Sequence, residues 1–380
     1  MSKKTRIGVL FGGQSGEHEV SLLSARSVID ALESTGKYEV VPIGITRSGR
    51  WVVRPDALAL LSSMTTLQLP GAETATAGER GESAAALRPD GGDAPLVRIE
   101  DGNLAPEPLD VVFPVLHGPR GEDGTIQGFL ELAGIPYVGC GVASSAVAMD
   151  KSLAKSILKA DGLPVVDSVT VRAHEWKAAP EAVLERAGRI GFPCFVKPAN
   201  MGSSVGITRA ADEAGLRRGL DEAARYDTRI LVERAIDARE IECSVLGNDD
   251  PRASVPGEVV PSGEFYDYRA KYLDEASELK IPAPIDEAMT QEVRELAVRA
   301  FRALDGAGMA RVDFLLEREG GRLFVNELNT IPGFTAISMY SKLWEASGLS
   351  YTDLVDELVR LAIERHATRK NLSLTYRPPD

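Results

Sequence analysis

Residues 308–338, GMARVDFLLEREGGRLFVNELNTIPGFTAIS, alternate apolar and polar side chains through two runs that meet at Gly320–Gly321. This period of two predicts two strands with one buried face, joined by a tight turn. Val312, Phe314 and Leu316 then point one way, and Arg311 and Asp313 the other. In the second run Glu327 and Asn329 are two apart and share a face, and Pro332–Gly333 breaks the loop that follows. One face of the hairpin thus carries Arg, Asp, Glu and Asn. Such a face is either the solvated outside of an antiparallel sheet or an oxygen-donor site for Mg2+, which takes one or two carboxylates together with substrate phosphates. The hairpin alone leaves both readings open.

A chain of 380 residues is too long for one small core and predicts two or three domains. Its hydrophobic content of 44% and charged content of 26% are those of an ordinary globular protein. The net charge of −13 argues against a general nucleic-acid binder, which needs a basic surface, but leaves room for a local basic pocket. Cys140, Cys194 and Cys243 are odd in number and form no CxxC pair, which fits a reducing cytoplasm better than a disulfide framework or zinc site. Lys3, Lys4 and Arg6 precede an apolar run of only 7–11, interrupted by Gly8, which is too short for a signal peptide. No run reaches the length of a membrane span. A cytoplasmic protein without membrane or nucleic-acid partners is expected.

The chain opens as a doubly wound α/β unit. A buried strand over 6–11 ends in Gly12–Gly13, a helix with apolar residues at helical spacing covers 19–32, and a second strand covers 38–45. Ser15 is the expected N-cap, with Glu17 and Glu19 in the first turn. The glycine turn lacks the GxGxxG pattern, and two glutamates there would repel a pyrophosphate. They either complement the helix dipole or hold a cationic group. Residues 55–108 read as a polar, mobile insertion containing a small hairpin near 97–104. A strand over 109–116 then delivers His117–Gly118 to the carboxyl edge of the sheet, where α/β proteins bind ligands. Helices over 125–133 and 144–160 flank a short strand at 137–138, and the second leaves the domain near Met149, just before Lys151.

A smaller α+β unit follows. Its strands are expected at 168–171, 194–197, 205–209 and 230–233, and its helices at 180–190 and 212–224. The loop PANMGSSVG lies between two strands, unlike a Walker loop, which leads from strand to helix. The last unit has strands at 240–246 and 258–260, an irregular 263–279 that suggests a functional Ω-type loop, and a helix over 286–303 capped by Asp286. The opening hairpin, helices at 337–346 and 351–363, and a loose tail from 368 complete it. The expected domains are 1–148, 149–236 and 237–380.

These features converge on phosphoryl transfer, which needs positioning and charge neutralisation more than covalent help. Lys151 and Lys197 are cations at the smaller unit. The backbone N–H groups of GSSVG (202–206) can cover phosphates, and Glu233 can accept from ribose hydroxyls or an adenine amino group. At this point the sequence resembles the ATP-grasp enzymes, and within them the D-alanine–D-alanine ligases. The matching segments are GGQSGEHEVSL (12–22), HGPRGEDGTIQG (117–128), YVGCGVASSAVAMDK ending at Lys151, VKPANMGSSVG (196–206), FYDYRAKYL (265–273), ARVDFLL (310–316) and NELNTIPGFT (326–335). They run through the chain except for 55–108 and the C-terminal tail.

The resemblance implies an ATP-grasp fold with an N-terminal Rossmann-like domain, and ATP-dependent ligation of two D-alanines through a D-alanyl phosphate. Glu17 would hold the first alanine's ammonium and His117 would line its pocket. Arg311 and the Gly333 N–H would stabilise the oxyanion. Ser203 and Tyr272 would link to Glu17 and orient the second alanine, whose carboxylate Ser338 would help bind. Lys151, Lys197, Ser203, Ser204, Glu233, Glu240, Lys271 and Asn326 would bind ATP, and Asp313, Glu327 and Asn329 would hold two Mg2+, with Mn2+ as a substitute. A homodimer is common in the family. The roles of Ser203, Tyr272 and Lys271 rest on the resemblance, because lone hydroxyls and a lysine in such a loop are otherwise solvated surface groups. An ATP-grasp ligase for another acid and amine, and a nucleotide-binding or amino-acid-sensing module, are the alternative readings.

Overall fold

A computed structural model describes residues 3–66, 84–87, 96–100, 103–202, 205–260 and 278–373. It contains three sheets, each covered by helices. In chain order the first part has β1 (Thr5–Gly12), α1 (His18–Ser34), β2 (Tyr38–Ile45), β3 (Trp51–Val53), α2 (Ala57–Thr66), β4 (Ala84–Leu87), β5 (Leu96–Glu100), β6 (Asn103–Glu107), β7 (Val111–Pro114), α3 (Thr125–Leu132) and α4 (Val142–Met149). Its sheet has the order β6-β5-β4-β3-β2-β1-β7. β1 pairs in parallel with both β2 and β7. These central strands are apolar almost throughout because both their faces are covered.

The described parts of 55–108 belong to this fold. Ala57 and Leu61 of α2 are buried, and β4–β6 extend the sheet edge as an antiparallel meander. Residues 67–83, 88–95 and 101–102 lie outside the described residues. Ser15 does not cap α1. Glu17 occupies the N-cap position, and the Ser15 hydroxyl instead accepts from the Glu17 N–H at 3.2 Å.

The second part has α5 (Lys151–Ala160), β8 (Ser168–Arg172), α6 (Ala173–Ala178), α7 (Pro180–Gly188), β9 (Cys194–Pro198), β10 (Thr208–Ala210), α8 (Glu213–Ala223) and β11 (Arg229–Arg234). Its antiparallel sheet has the order β10-β9-β11-β8. The expected helix over 144–160 is two helices, because Asp150 is extended and caps α5 by accepting from the Ser152 and Leu153 N–H groups. The short α6 was not expected.

The third part has β12 (Ala238–Gly247), β13 (Arg252–Ala253), β14 (Gly257–Val260), β15 (Glu278–Lys280), α9 (Glu287–Ala303), β16 (Gly308–Glu317), β17 (Leu323–Asn329), α10 (Met339–Ala346) and α11 (Tyr351–Lys370). Its sheet runs β15-β14-β12-β16-β17, with β13 on β12. Asp286 caps α9, accepting from the Met289 N–H at 2.8 Å. The last helix continues to Lys370, past the expected end at 363. Its residues Leu354, Val355 and Leu358 join Ile7, Val9 and Phe11 of β1 in one core, so the chain's end packs on its beginning.

Candidate active site

The alternation of the opening hairpin decides where its side chains go. Along β16 Val312, Phe314 and Leu316 are buried, and Arg311, Asp313, Leu315 and Glu317 are partly exposed. Register sets Arg311 opposite Asn329 and Asp313 opposite Glu327, so the four polar side chains share one face. A bulge between Asp313 and Phe314 skips Asn326, which is therefore partly exposed next to Glu327. The Arg311 Nε and Nη2 donate to the two Asp313 oxygens, each at 2.7 Å. Arg311 Nε also lies 3.0 Å from Glu242 Oε2 on β12, and Asn329 Nδ2 donates to Asp313 Oδ2 at 2.9 Å. Lys151 Nζ stands 3.5 Å from Glu327 Oε2 and donates to the Met201 carbonyl at 2.9 Å.

Asp313, Glu327 and Asn329 are hard oxygen donors on adjacent strands, and that chemistry suits Mg2+. Among the described residues no three carboxylate, imidazole or thiolate groups converge into a cage.

A second cluster lies on the smaller sheet. Glu233 is 2% exposed, and each of its oxygens faces an ammonium: Lys197 Nζ donates to Oε2 at 2.5 Å and Lys155 Nζ lies 2.5 Å from Oε1. Burial alone would raise the Glu233 carboxyl, but Lys155 and Lys197 more than offset it and hold it at about 2. Burial alone would lower Lys197, but Glu233, and then Glu327 and Glu240, raise it above the ordinary lysine value. Glu240 therefore lies within electrostatic reach of this cluster.

The third group comes from the carboxyl edge of the first sheet. His117 is buried, with Nδ1 3.0 Å from the Ile331 carbonyl and Nε2 3.1 Å from Ser24 Oγ. A carbonyl can only accept, so Nδ1 carries the proton and Nε2 accepts from Ser24. Burial lowers the His117 pKa against the pull of Glu17 and the Ile331 carbonyl. The ring is thus neutral, with both nitrogens engaged, and it orients its neighbours. Glu17 is 8% exposed. Two glycines make room for its carboxylate: a Cβ would lie 2.6 Å from Oε2 at Gly118 and 3.2 Å from it at Gly202. Glu122 accepts from the Gly118 N–H at 2.9 Å. Its burial, and then the nearby Glu17, push its carboxyl up to about 8.

A cavity of about 290 Å3 joins the hairpin face to the group at the edge of the first sheet. Glu17, His117, Lys151, Arg311, Glu327 and Asn329 line it, together with Gly333 and Ser338 from the loop after β17. The Ser338 hydroxyl accepts from the Thr335 N–H at 3.0 Å and pairs with the Thr335 hydroxyl at 2.8 Å. Asp313 lies behind Arg311, while Lys197, Glu233, Glu240 and Asn326 are not among the lining residues. Ser203, Ser204, Lys271 and Tyr272, and most of the 263–279 loop, lie outside the described residues.

Three residues of the site were missed in the sequence. Glu242 follows the period of two on β12, where Glu240, Glu242 and Ser244 alternate with buried Ile241, Cys243 and Val245. Lys155 is one helical turn beyond Lys151. Glu122 sits inside the GPRGEDG loop, and no local pattern marks it.

Models of the D-alanine–D-alanine ligase N-terminus and C-terminus match residues 6–140 and 157–360. The D-alanine–D-alanine ligase of Thermoanaerobacter sp. (strain X514) is 53% identical over 367 residues, covering 96% of this chain and 98% of the relative. Among solved structures, the D-alanine–D-alanine ligase from Coxiella burnetii superposes with a TM-score of 0.82 at 38% identity, covering 97% of each chain. The D-Ala:D-Ser ligase from Enterococcus faecalis gives 0.82 at 35% identity, covering 95% of this chain and 100% of that one. With family models spanning most of its length and close relatives along all of it, the chain belongs to the D-alanine–D-alanine ligase family and has its ATP-grasp fold.

Proposed function

We propose that this chain joins two D-alanines with ATP hydrolysis to ADP and phosphate, supplying D-alanyl-D-alanine for peptidoglycan precursor synthesis. The observation that carries this reading is one cavity lined by Glu17 together with Lys151, Arg311 and Glu327. A carboxylate suited to an ammonium and cations suited to phosphates and a carboxylate then border the same space.

The first D-alanine places its ammonium on Glu17, in a pocket lined by neutral His117. Its carboxylate attacks the γ-phosphorus of ATP, and ADP leaves. Lys151, Lys197, Lys271, Ser203 and Ser204 bind the phosphates, while Glu233, Glu240 and Asn326 hold the nucleotide. Asp313, Glu327 and Asn329 would hold the two Mg2+ or Mn2+ expected, whose charge offsets that of the phosphates. The second D-alanine, oriented by Tyr272 and Ser338, attacks the acyl phosphate carbon through its amine. Arg311 and the Gly333 N–H stabilise the oxyanion that forms, and phosphate then leaves. The enzyme acts in the cytoplasm as a homodimer with small-molecule substrates.

A coupled ADP-release assay with D-alanine, ATP and Mg2+ tests this, and absence of ADP formation overturns it. Nucleotide binding by calorimetry without turnover would favour a sensing module instead. The 35% identity to a D-Ala:D-Ser ligase supports a second reading, in which D-serine is the acceptor. Comparing D-alanine, D-serine and D-lactate as acceptors separates the two.

A further inference from the structure

Among the described residues Lys155 is the only buried lysine, at 5% exposure. It projects from α5, whose start is fixed from several sides. Asp150 caps that helix, forms an ion pair with Arg229 at the head of β11, and accepts from Asn200 Nδ2 at 3.1 Å. The helix is thereby tied to the strand that carries Glu233. Lys155 Nζ reaches Glu233 Oε1 at 2.5 Å, while Lys197 Nζ reaches Oε2. The two lysines differ in setting. The Lys197 side chain is 14% exposed and the Lys155 side chain 5%.

A carboxylate as buried as Glu233 is ionised only while a cation stays beside it. Lys197 is also the cation that an incoming nucleotide would draw on. If Lys197 were the sole counter-ion, any hydrogen bond it gave to ATP would weaken its hold on Glu233, and the two ligands of the nucleotide would compete. A second ammonium removes that competition. We propose that Lys155 is a positioning residue of the nucleotide site: it keeps Glu233 ionised and aimed while Lys197 turns to ATP. This rests on the ATP-dependent ligase reading.

The test uses the full-length enzyme after wild-type ADP release has been established, so that failure of the ligase reading is recognised first. Lys155→Met removes the charge and keeps the apolar stem. The expected result is an ATP KM raised about tenfold, the scale of one charge-assisted hydrogen bond, with kcat and the D-alanine KM within about threefold. ADP binding by calorimetry should weaken in parallel. In the Glu233→Gln background, Lys155→Met should add little, because its effect runs through Glu233. The ATP KM of Lys155→Met should also rise toward acid pH, where that of wild type is flat. Lys155→Gln, which retains a polar side chain, serves if the Met variant does not fold, and it should show the same ATP-specific loss. An unchanged ATP KM and ADP affinity in the folded variant overturns the proposal. So does an equal loss in the wild-type and Glu233→Gln backgrounds, or a loss spread over ATP and D-alanine alike.

Discussion

Arg311 is a counter-ion in the structure and, on the proposed function, an oxyanion donor, and substitution can separate the two. As a counter-ion it serves Asp313, through two 2.7 Å hydrogen bonds, and Glu242, at 3.0 Å. The Asp313 and Glu242 side chains are 14% and 6% exposed. Register sets them opposite each other on β16 and β12, so Arg311→Met leaves two like charges facing in a poorly solvated place. Breaking a buried pair costs roughly 3–5 kcal/mol, and the partial exposure puts this case near the lower end, about 3 kcal/mol. In the proposed oxyanion role it would be worth about 10²–10³ in kcat. Arg311→Lys keeps a charge but loses the planar fork. It should lose less stability than the Met variant and nearly as much turnover. Arg311→Met combined with Glu242→Gln should regain most of the stability and none of the turnover. Denaturant unfolding followed by circular dichroism measures the first quantity and steady-state ADP release the second. Wild-type kcat in Arg311→Lys, or turnover restored along with stability in the double variant, would reduce Arg311 to a counter-ion and refute the oxyanion role.

Two further outcomes follow from the substrate side of the cavity. Glu122 is pushed from the ordinary 4.5 up to about 8, so between those values the native state holds a proton that the unfolded state has released. Wild-type stability therefore falls as pH rises through that window. Glu122→Gln mimics the protonated carboxyl and should gain on wild type in unfolding midpoint from pH 5 to pH 9; a constant difference would contradict the raised carboxyl. Gly118 has φ +76°, and a Cβ there would lie 2.6 Å from Glu17 Oε2. Gly118→Ala should displace that carboxylate and raise the D-alanine KM about tenfold or more, the scale of a lost charge-assisted hydrogen bond, while sparing the ATP KM. An unchanged D-alanine KM would dissociate Glu17 from ammonium binding.

The hairpin was legible because a strand's period of two assigns faces without knowledge of its neighbours. The shared face of Arg311, Asp313, Glu327 and Asn329 followed from spacing, and the register bears it out. Glu242 was not legible as a partner, since its role exists only once β12 lies beside β16. Lys155 fails for a different reason. A lysine on an amphipathic helix ordinarily faces water, and only the approach of β11 buries this one against Glu233. Glu122 is raised by its burial and then by Glu17, which comes from another loop of the same sheet edge. Among the elements, α2 was hidden because the polar composition between 71 and 94 was extended back over Leu58, Leu60 and Leu61. The break at Asp150 was hidden because helical periodicity continues on both sides of it, and only the cap reveals the boundary.

The first sheet poses the sharpest question about charge. In a doubly wound sheet the glycine turn after β1 and the N-terminus of the following helix ordinarily attract a phosphate. Here Glu17 occupies the N-cap position of α1 and is 8% exposed. The partial positive charge of that helix end already faces a carboxylate, and a phosphate would meet repulsion from Glu17. On the proposed function, the geometry that binds anions elsewhere would here receive the substrate's ammonium. An amino acid in the cavity would then put its ammonium on Glu17 and its carboxylate on the cations Lys151 and Arg311, which line the same space. The reverse pairing would set like charges together. On the same proposal, one glutamate at a helix start thus favours an ammonium over a phosphate, so that the Rossmann-like domain would serve the amino acid and the lysines of the smaller sheet the nucleotide.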